Sequence, residues 1–240
     1  MRHYGGGVSV DGNDQAKGFW NLLSAREQTD LIRLGAARDF RPGSTMCHEG
    51  EPATHLYVLV TGWVKILSVT TEGQERVHAL RGDGDVVGEM AGEISGEMAG
   101  HRTATLQAVD PVHALIVRYD RFSAFLDGNP HAARAYRRAI TQRLRDTAAQ
   151  LSRHSVTSGA QRLALHLLEL AERHGTEADG VVDVIMPLSQ EELASLAGAS
   201  RATVTRAFGN WRKRGIVRTA PKHVTIIDVV SLRQIADYPQ

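Results

Sequence analysis

The stretch that most restricts this chain is a pair of short amphipathic segments hinged at one glycine, residues 189–197 and 200–213. Ser189-Gln190-Glu191-Glu192 has the form of a capping box, with Glu three residues after Ser reaching back to the cap's amide. Leu193, Leu196 and Ala197 then share one helical face. Ala197-Gly198-Ala199 marks a tight turn, and Ser200 can cap a second helix. In that helix Val204, Phe208 and Trp211 fall at i, i+4 and i+7, so they turn inward. Arg201, Ala202, Thr205 and Arg206 are left on the opposite face, near the helix N-terminus. Two capped helices about a glycine turn make a helix-turn-helix. In such units the N-terminal end of the second helix reads base edges in the major groove.

Charge supports that reading. The chain's net charge is only +1, yet residues 201–222 hold seven cations (Arg201, Arg206, Arg212, Lys213, Arg214, Arg218 and Lys222) and no Asp or Glu. Such a run is either a solvated basic face or a phosphate-contacting surface, and beside a capped helix-turn-helix the second is expected. Residues 216–218 and 224–227, joined by 219–223, read as a wing. The expected double-stranded DNA contacts are Ser189, Gln190, Ser200, Arg201, Ala202, Thr205, Arg206, Arg212, Lys213 and Lys222.

Two other textures precede this one. Residues 19–126 read as short strands between Gly and Asp turns: 56–60, 64–69, 76–80, 103–108 and 112–117, after a helix at 30–37. That rhythm predicts a β-barrel or double-sheet jelly roll. Asn129-Pro130 then opens a long helix through residues 127–157, Pro being tolerated in a first turn. Ala133, Tyr136, Ile140, Leu144, Thr147, Leu151 and His154 recur along it at steps of three and four. This seam suits either a partner helix or the chain's own barrel, and its homodimer candidates are Tyr136, Ile140, Leu144, Thr147 and Leu151. The class is α+β: a Gly-rich segment at 1–18, a barrel, a long helix, and a winged helix-turn-helix at 158–240.

Several chemistries are disfavoured. A lone Cys47 cannot hold an iron–sulfur cluster or form an internal disulfide. Cys47 and His48 are neighbours on a strand and point to opposite faces, which speaks against a haem pair and for a packing role of the thiol. Eleven histidines show no metal-ligand spacing. Gly82-Asp83-Gly84 lacks the spacing and following helix of a dinucleotide fingerprint. No nucleophile–base constellation appears, so an enzyme is not expected. The longest apolar runs are too short to span a bilayer, and residues 1–18 lack a signal-peptide core, so a cytoplasmic protein is expected.

These features together resemble the CRP/FNR family of transcription regulators. The resemblance runs through Pro42-Gly43-Ser44, His48-Glu49-Gly50-Glu51, Gly62, the 82–85 turn, Gly88-Glu89, Arg102-Thr103-Ala104-Thr105, Asn129-Pro130 and Gly198-Ala199-Ser200-Arg201-Ala202-Thr203-Val204-Thr205-Arg206. It implies a cyclic-nucleotide-binding-type barrel, a dimer through the long helix and RNA polymerase as a further partner. It also implies an effector, cAMP or cGMP, held by Gly88, Glu89, Arg102, Thr103 and Thr147. Glu89 would take the ribose hydroxyl, Arg102 and Thr103 the cyclic phosphate, and Thr147 the purine edge.

Departures from the family pattern bear on both ends of the chain. The stretch between Glu89 and Arg102 is lengthened and repeats Gly-Glu-Met, leaving a second register at Gly96-Glu97 open. Ala148 replaces a Ser that in the type member reaches the partner's nucleotide, and Ala202 replaces a Glu that accepts from cytosine. Two functions remain: a nucleotide-gated DNA-binding regulator, or the same fold with a barrel serving only as a dimerisation or protein-interaction scaffold.

Overall fold

The structure is a computed structural model that describes residues 18–73, 75–90, 100–154 and 158–237, without the side chains of 146, 149–154, 173 and 237. The Gly-rich start of the chain, Gly96-Glu97 and the side chains of Leu151 and His154 lie outside the described residues.

Two helices, α1 (Phe19–Leu22) and α2 (Ala25–Leu34), lead into the barrel. The sequence placed a helix at residues 30–37, but α2 starts five residues earlier and its tail is strand. Ser24 caps α2, its hydroxyl accepting from the Glu27 amide while the Glu27 carboxylate accepts from the Ser24 amide. That capping box starts the helix where periodicity alone did not. The chain then forms β1 (Ala36–Phe40), β2 (Thr45–Cys47), β3 (Pro52–Ala53), β4 (His55–Thr61), β5 (Val64–Val69) and β6 (Glu75–Arg81). After them come β7 (Val86–Val87), β8 (Gly100–His101), β9 (Thr105–Ala108) and β10 (Val112–Arg118).

These strands make two antiparallel four-stranded sheets, β1-β10-β4-β7 and β2-β9-β5-β6, with β3 paired to β8 beside them. Phe40, Cys47, Tyr57, Leu59, Val64, Leu106 and Val112 fill the space between the sheets. On β4, Tyr57 and Leu59 point into that core, while Leu56 and Val58 point outward under α1 and the long helix. Burial of both faces is why residues 56–60 read as an unbroken apolar run rather than an alternating one.

Helix α3 (Tyr119–Gly128) leads into the long helix α4 (Pro130–His154). Phe19, Phe122 and Tyr136 interlock edge to face, with Tyr136 centroids 5.9 Å from Phe19 and 5.2 Å from Phe122. The first turns of α4 are thus part of the barrel's outer core. A carboxylate fixes its start: Glu27 accepts from the Ala132 amide at 3.1 Å and pairs with His131 at 3.0 Å.

The rest of the chain is α5 (Gly159–His174), β11 (Thr176–Ala178), β12 (Val181–Ile185), α6 (Gln190–Leu196), α7 (Arg201–Lys213), β13 (Val217–Ala220), β14 (His223–Ile226) and α8 (Val229–Asp237). Its sheet runs β11-β12-β14-β13. Leu163, Leu167, Leu193, Val204, Phe208, Trp211 and Ile226 are buried beneath it, and Trp63 and Leu80 of the barrel belong to the same core.

Candidate functional site

The candidate effector site is built where β7 ends. Gly88 adopts φ +78°, and a Cβ there would stand 2.5 Å from Arg102 Nη1, so only glycine admits this close approach. Arg102 lies across the Tyr57 ring, its guanidinium carbon 5.4 Å from the centroid, in the geometry of a cation–π contact. Its Nη1 donates to the Gly88 carbonyl at 3.2 Å and to the Tyr119 hydroxyl at 3.4 Å, and Tyr119 donates to the same carbonyl at 2.6 Å. Burial pushes the Tyr57 phenol up to about 12, so its hydroxyl stays protonated and donates to the Met46 carbonyl.

Arg102 is 4% exposed, and its Nη2 has no hydrogen-bond partner among the described residues. A buried guanidinium with an unsatisfied donor is costly unless an anion meets it. That donor fits the monoanionic phosphate of a cyclic nucleotide.

Glu89 is held by a residue the sequence reading passed over. Arg143 of α4 donates from Nη1 to Glu89 Oε1 at 2.7 Å and from Nη2 to Asp85 Oδ1 at 3.2 Å, both carboxylates being buried and the Arg143 side chain 11% exposed. Burial opposes the Arg143 charge, but Asp85 and then Glu89 more than offset it, and its pKa stands above the ordinary arginine value. Arg143 lies one turn before Thr147, near the face that carries Ile140, but nothing local in the sequence marks its carboxylate partners on the barrel.

Gly88, Glu89 and Arg102 are thus brought together, with Asp85, Arg143, Tyr57 and Tyr119 around them. Thr103 is exposed. Thr147 is exposed too, and its hydroxyl donates back to the Arg143 carbonyl at 2.9 Å. Cys47 is buried between the sheets, and burial raises its thiol pKa, while His48 is exposed.

The second surface lies on α6 and α7. Both helices carry their expected serine caps: Ser189 accepts from the Glu192 amide and Ser200 from the Thr203 amide. Arg201, Ala202, Thr205 and Arg206 are exposed on one face of α7, while Val204, Phe208 and Trp211 are buried on the other. The Thr205 hydroxyl donates to Gln190 at 2.8 Å, fixing the two helices' outer edges. Arg212 donates to Thr219 at 3.1 Å and so ties α7 to the first strand of the wing. Lys213 and Lys222 are exposed. Arg162 of α5 was not singled out in the sequence, yet its guanidinium donates to the carbonyls of Ala197 at 2.7 Å and Gly198 at 2.6 Å. It clamps the turn that sets the angle between the two helices.

A barrel with a guanidinium aimed into it, followed by a winged helix-turn-helix, defines an effector-domain transcription regulator. Residues 37–129 match the cyclic nucleotide-binding domain and residues 161–235 the Crp-like helix-turn-helix domain. The chain is 35% identical over 190 residues to the CRP-like cAMP-activated global transcriptional regulator of Mycobacterium tuberculosis, covering 79% of this chain and 83% of that protein. It is 30% identical over 213 residues to the cyclic AMP receptor protein of Thermus thermophilus, covering 88% of this chain and 94% of that one. The solved structure of FixK2 from Bradyrhizobium japonicum shares the fold, with a TM-score of 0.71 at 19% identity over 86% of this chain and 99% of that one. The chain belongs to the CRP/FNR family. It is a DNA-binding transcription regulator with a cyclic-nucleotide-binding domain, not an enzyme. Among the described residues no helix is long and apolar enough to cross a membrane.

Proposed function

We propose that the chain acts as a homodimer on paired operator half-sites, and that a cyclic nucleotide bound in its barrel strengthens that binding. The observation that carries the effector half is Arg102, buried against Tyr57 with one donor unsatisfied beside the tight Gly88 turn. Glu89, braced by Arg143, faces the ribose side, and Gly88 supplies backbone. The relatives named above bear cAMP in their names, so cAMP is the first nucleotide to test and cGMP the second.

The dimer half rests on α4. Tyr136 is buried in its own chain's core and Ile140 packs against the same cluster, but Leu144 is 69% exposed one turn further on. The seam therefore divides: its start holds the helix to the barrel, and from Leu144 onward an apolar side chain is offered to a second copy. Operator reading falls to Arg201, Thr205 and Arg206, with Ala202 limited to an apolar contact such as a thymine methyl. RNA polymerase is the partner expected of a regulator so placed on a promoter.

Calorimetry with cAMP and with cGMP tests the effector reading, on the wild-type chain and on Arg102→Lys and Arg102→Ala. The expected result is saturable binding of one nucleotide that both variants weaken by about tenfold or more, as loss of a charge-assisted contact implies. Absence of binding to either nucleotide by a folded wild-type chain would leave the barrel as a scaffold.

A further inference from the structure

The barrel and the DNA-reading unit of this chain are joined by more than the chain itself. Lys65 of β5 is 7% exposed, and its ammonium reaches Glu75 of β6 at 3.0 Å and Glu192 of α6 at 2.7 Å. Glu192 therefore has two duties: one oxygen accepts from the Ser189 amide at 2.8 Å to start α6, and the other takes the lysine. Next to it, Ser195 Oγ accepts from the Val77 amide at 2.9 Å. Strand β6 lies at the edge of its sheet, where outward amides lack a strand partner, and α6 covers that edge.

The contact continues at the end of the strand. Trp63 meets His174, the last residue of α5, with centroids 4.4 Å apart. A Cβ on Gly82 would stand 2.8 Å from the His174 ring and 3.1 Å from Trp63. The same turn reaches the effector pocket, because the Gly82 amide donates to Asp85, which is paired with Arg143.

From this we infer that Lys65, Ser195 and the Gly82 turn form a latch that sets the position of the reading helices on the barrel, and that tight operator binding requires it closed. The inference rests on the dimeric operator reading above. Arg201, Ala202, Thr205 and Arg206 stay exposed while Glu192 and Ser195 are engaged, so the latch does not cover the DNA-facing side. A dimer must present two such helices about one helical turn of DNA apart. A unit already held at a fixed angle binds its second half-site without having to be ordered first. Burial opposes the charge of Lys65, but Glu192 and Glu75 outweigh it and its pKa is raised, so the ammonium persists at neutral pH.

The experiment uses full-length Lys65→Met, Gly82→Ala and the conservative Lys65→Arg, each titrated with a paired operator and with a single half-site. Hydrogen exchange at the Val77 amide reports whether α6 remains docked. In Lys65→Met and Gly82→Ala we expect faster Val77 exchange, and paired-operator affinity lowered about tenfold or more with half-site affinity unchanged. Lys65→Arg, which keeps a cation between Glu75 and Glu192, should retain most of the wild-type Val77 protection and paired-operator affinity. Paired-operator affinity equal to or tighter than wild type, with Val77 exchange accelerated, would overturn the latch, as would unchanged Val77 exchange in both Lys65→Met and Gly82→Ala. A wild-type chain that binds no operator would instead be a failure of the functional reading, so the two failures are distinguishable.

Discussion

Arg102 shows how much of the proposed effector site is prepared by the chain's own residues. Tyr57 supplies a face, Tyr119 and the Gly88 carbonyl orient one nitrogen, and the other nitrogen is left with an unsatisfied donor. Gly88→Ala should therefore act through Arg102, because its Cβ would collide with Nη1 and the left-handed backbone would be strained. We expect nucleotide affinity to fall by about tenfold or more, measured by calorimetry, with the fold retained by circular dichroism. At the DNA surface, residues differ in kind. Arg201→Ala should cost about 1–3 kcal/mol and relax preference at one base pair, whereas Lys213→Ala should weaken all sequences alike and reduce the salt slope by about one. Binding-site selection on both variants checks this. Neither the Arg102 neighbours nor the Arg143 ion pairs were legible in the sequence. Tyr57, Tyr119 and Arg143 converge from a strand, a helix start and a distant helix, and no local spacing encodes that meeting.

In the proposed dimer, helix α4 has to satisfy two neighbours along one stripe. Its seven-position seam was readable from periodicity, but periodicity could not say where the barrel's claim ends, because Tyr and Leu serve either partner. Burial settles it between Ile140, packed on the chain's own core, and Leu144, exposed. Leu144→Arg should consequently yield a monomer by sedimentation while leaving the thermal midpoint of the barrel nearly unchanged, and paired-operator affinity should drop with dimerisation. A stable dimer of that variant would move the interface elsewhere. The start of the helix has its own pH dependence through Glu27. Burial raises its pKa, but hydrogen bonds from the Ser24 side chain and amide and from His131 prevail, and the net value lies below the ordinary carboxylate. A depressed folded-state pKa contributes stability that is present above the unfolded value of about 4.3 and lost as pH falls through the folded one. Urea midpoints taken from pH 7 down to pH 3 should show this acid loss in wild type and a shallower one in Glu27→Gln, which is already weaker at pH 7.

Across the whole molecule, the barrel and the winged helix share a core rather than sitting side by side on a tether. Trp63 and Leu80 belong to the same buried cluster as Phe208 and Trp211. Urea unfolding should accordingly be a single transition by fluorescence and by far-ultraviolet circular dichroism, and Lys65→Met should begin to separate the two. The turn at residues 82–85 touches both the Arg143 ion pair and His174. The proposed effector site and the winged-helix unit thus meet this turn three residues apart, at Asp85 and at Gly82.

By itself, the sequence determined what repeats locally: strand rhythm, the helix-turn-helix with its two serine caps, the buried face of α7 and the basic run. Each depends on residues within a turn or two of one another, where backbone geometry alone dictates which side chains share a face. Only the tertiary structure decided what Glu192, Lys65, Arg143 and Tyr136 do. Apart from the cap that Glu192 makes with Ser189, each is an ordinary surface or seam residue by its neighbours in sequence. Each acquires its role from a partner 14 to 127 positions away, as in the Lys65–Glu192 bridge and the packing of Tyr136 on Phe122 and Phe19. Contacts at that separation depend on how whole elements pack, and the sequence of one element carries no record of the other's surface.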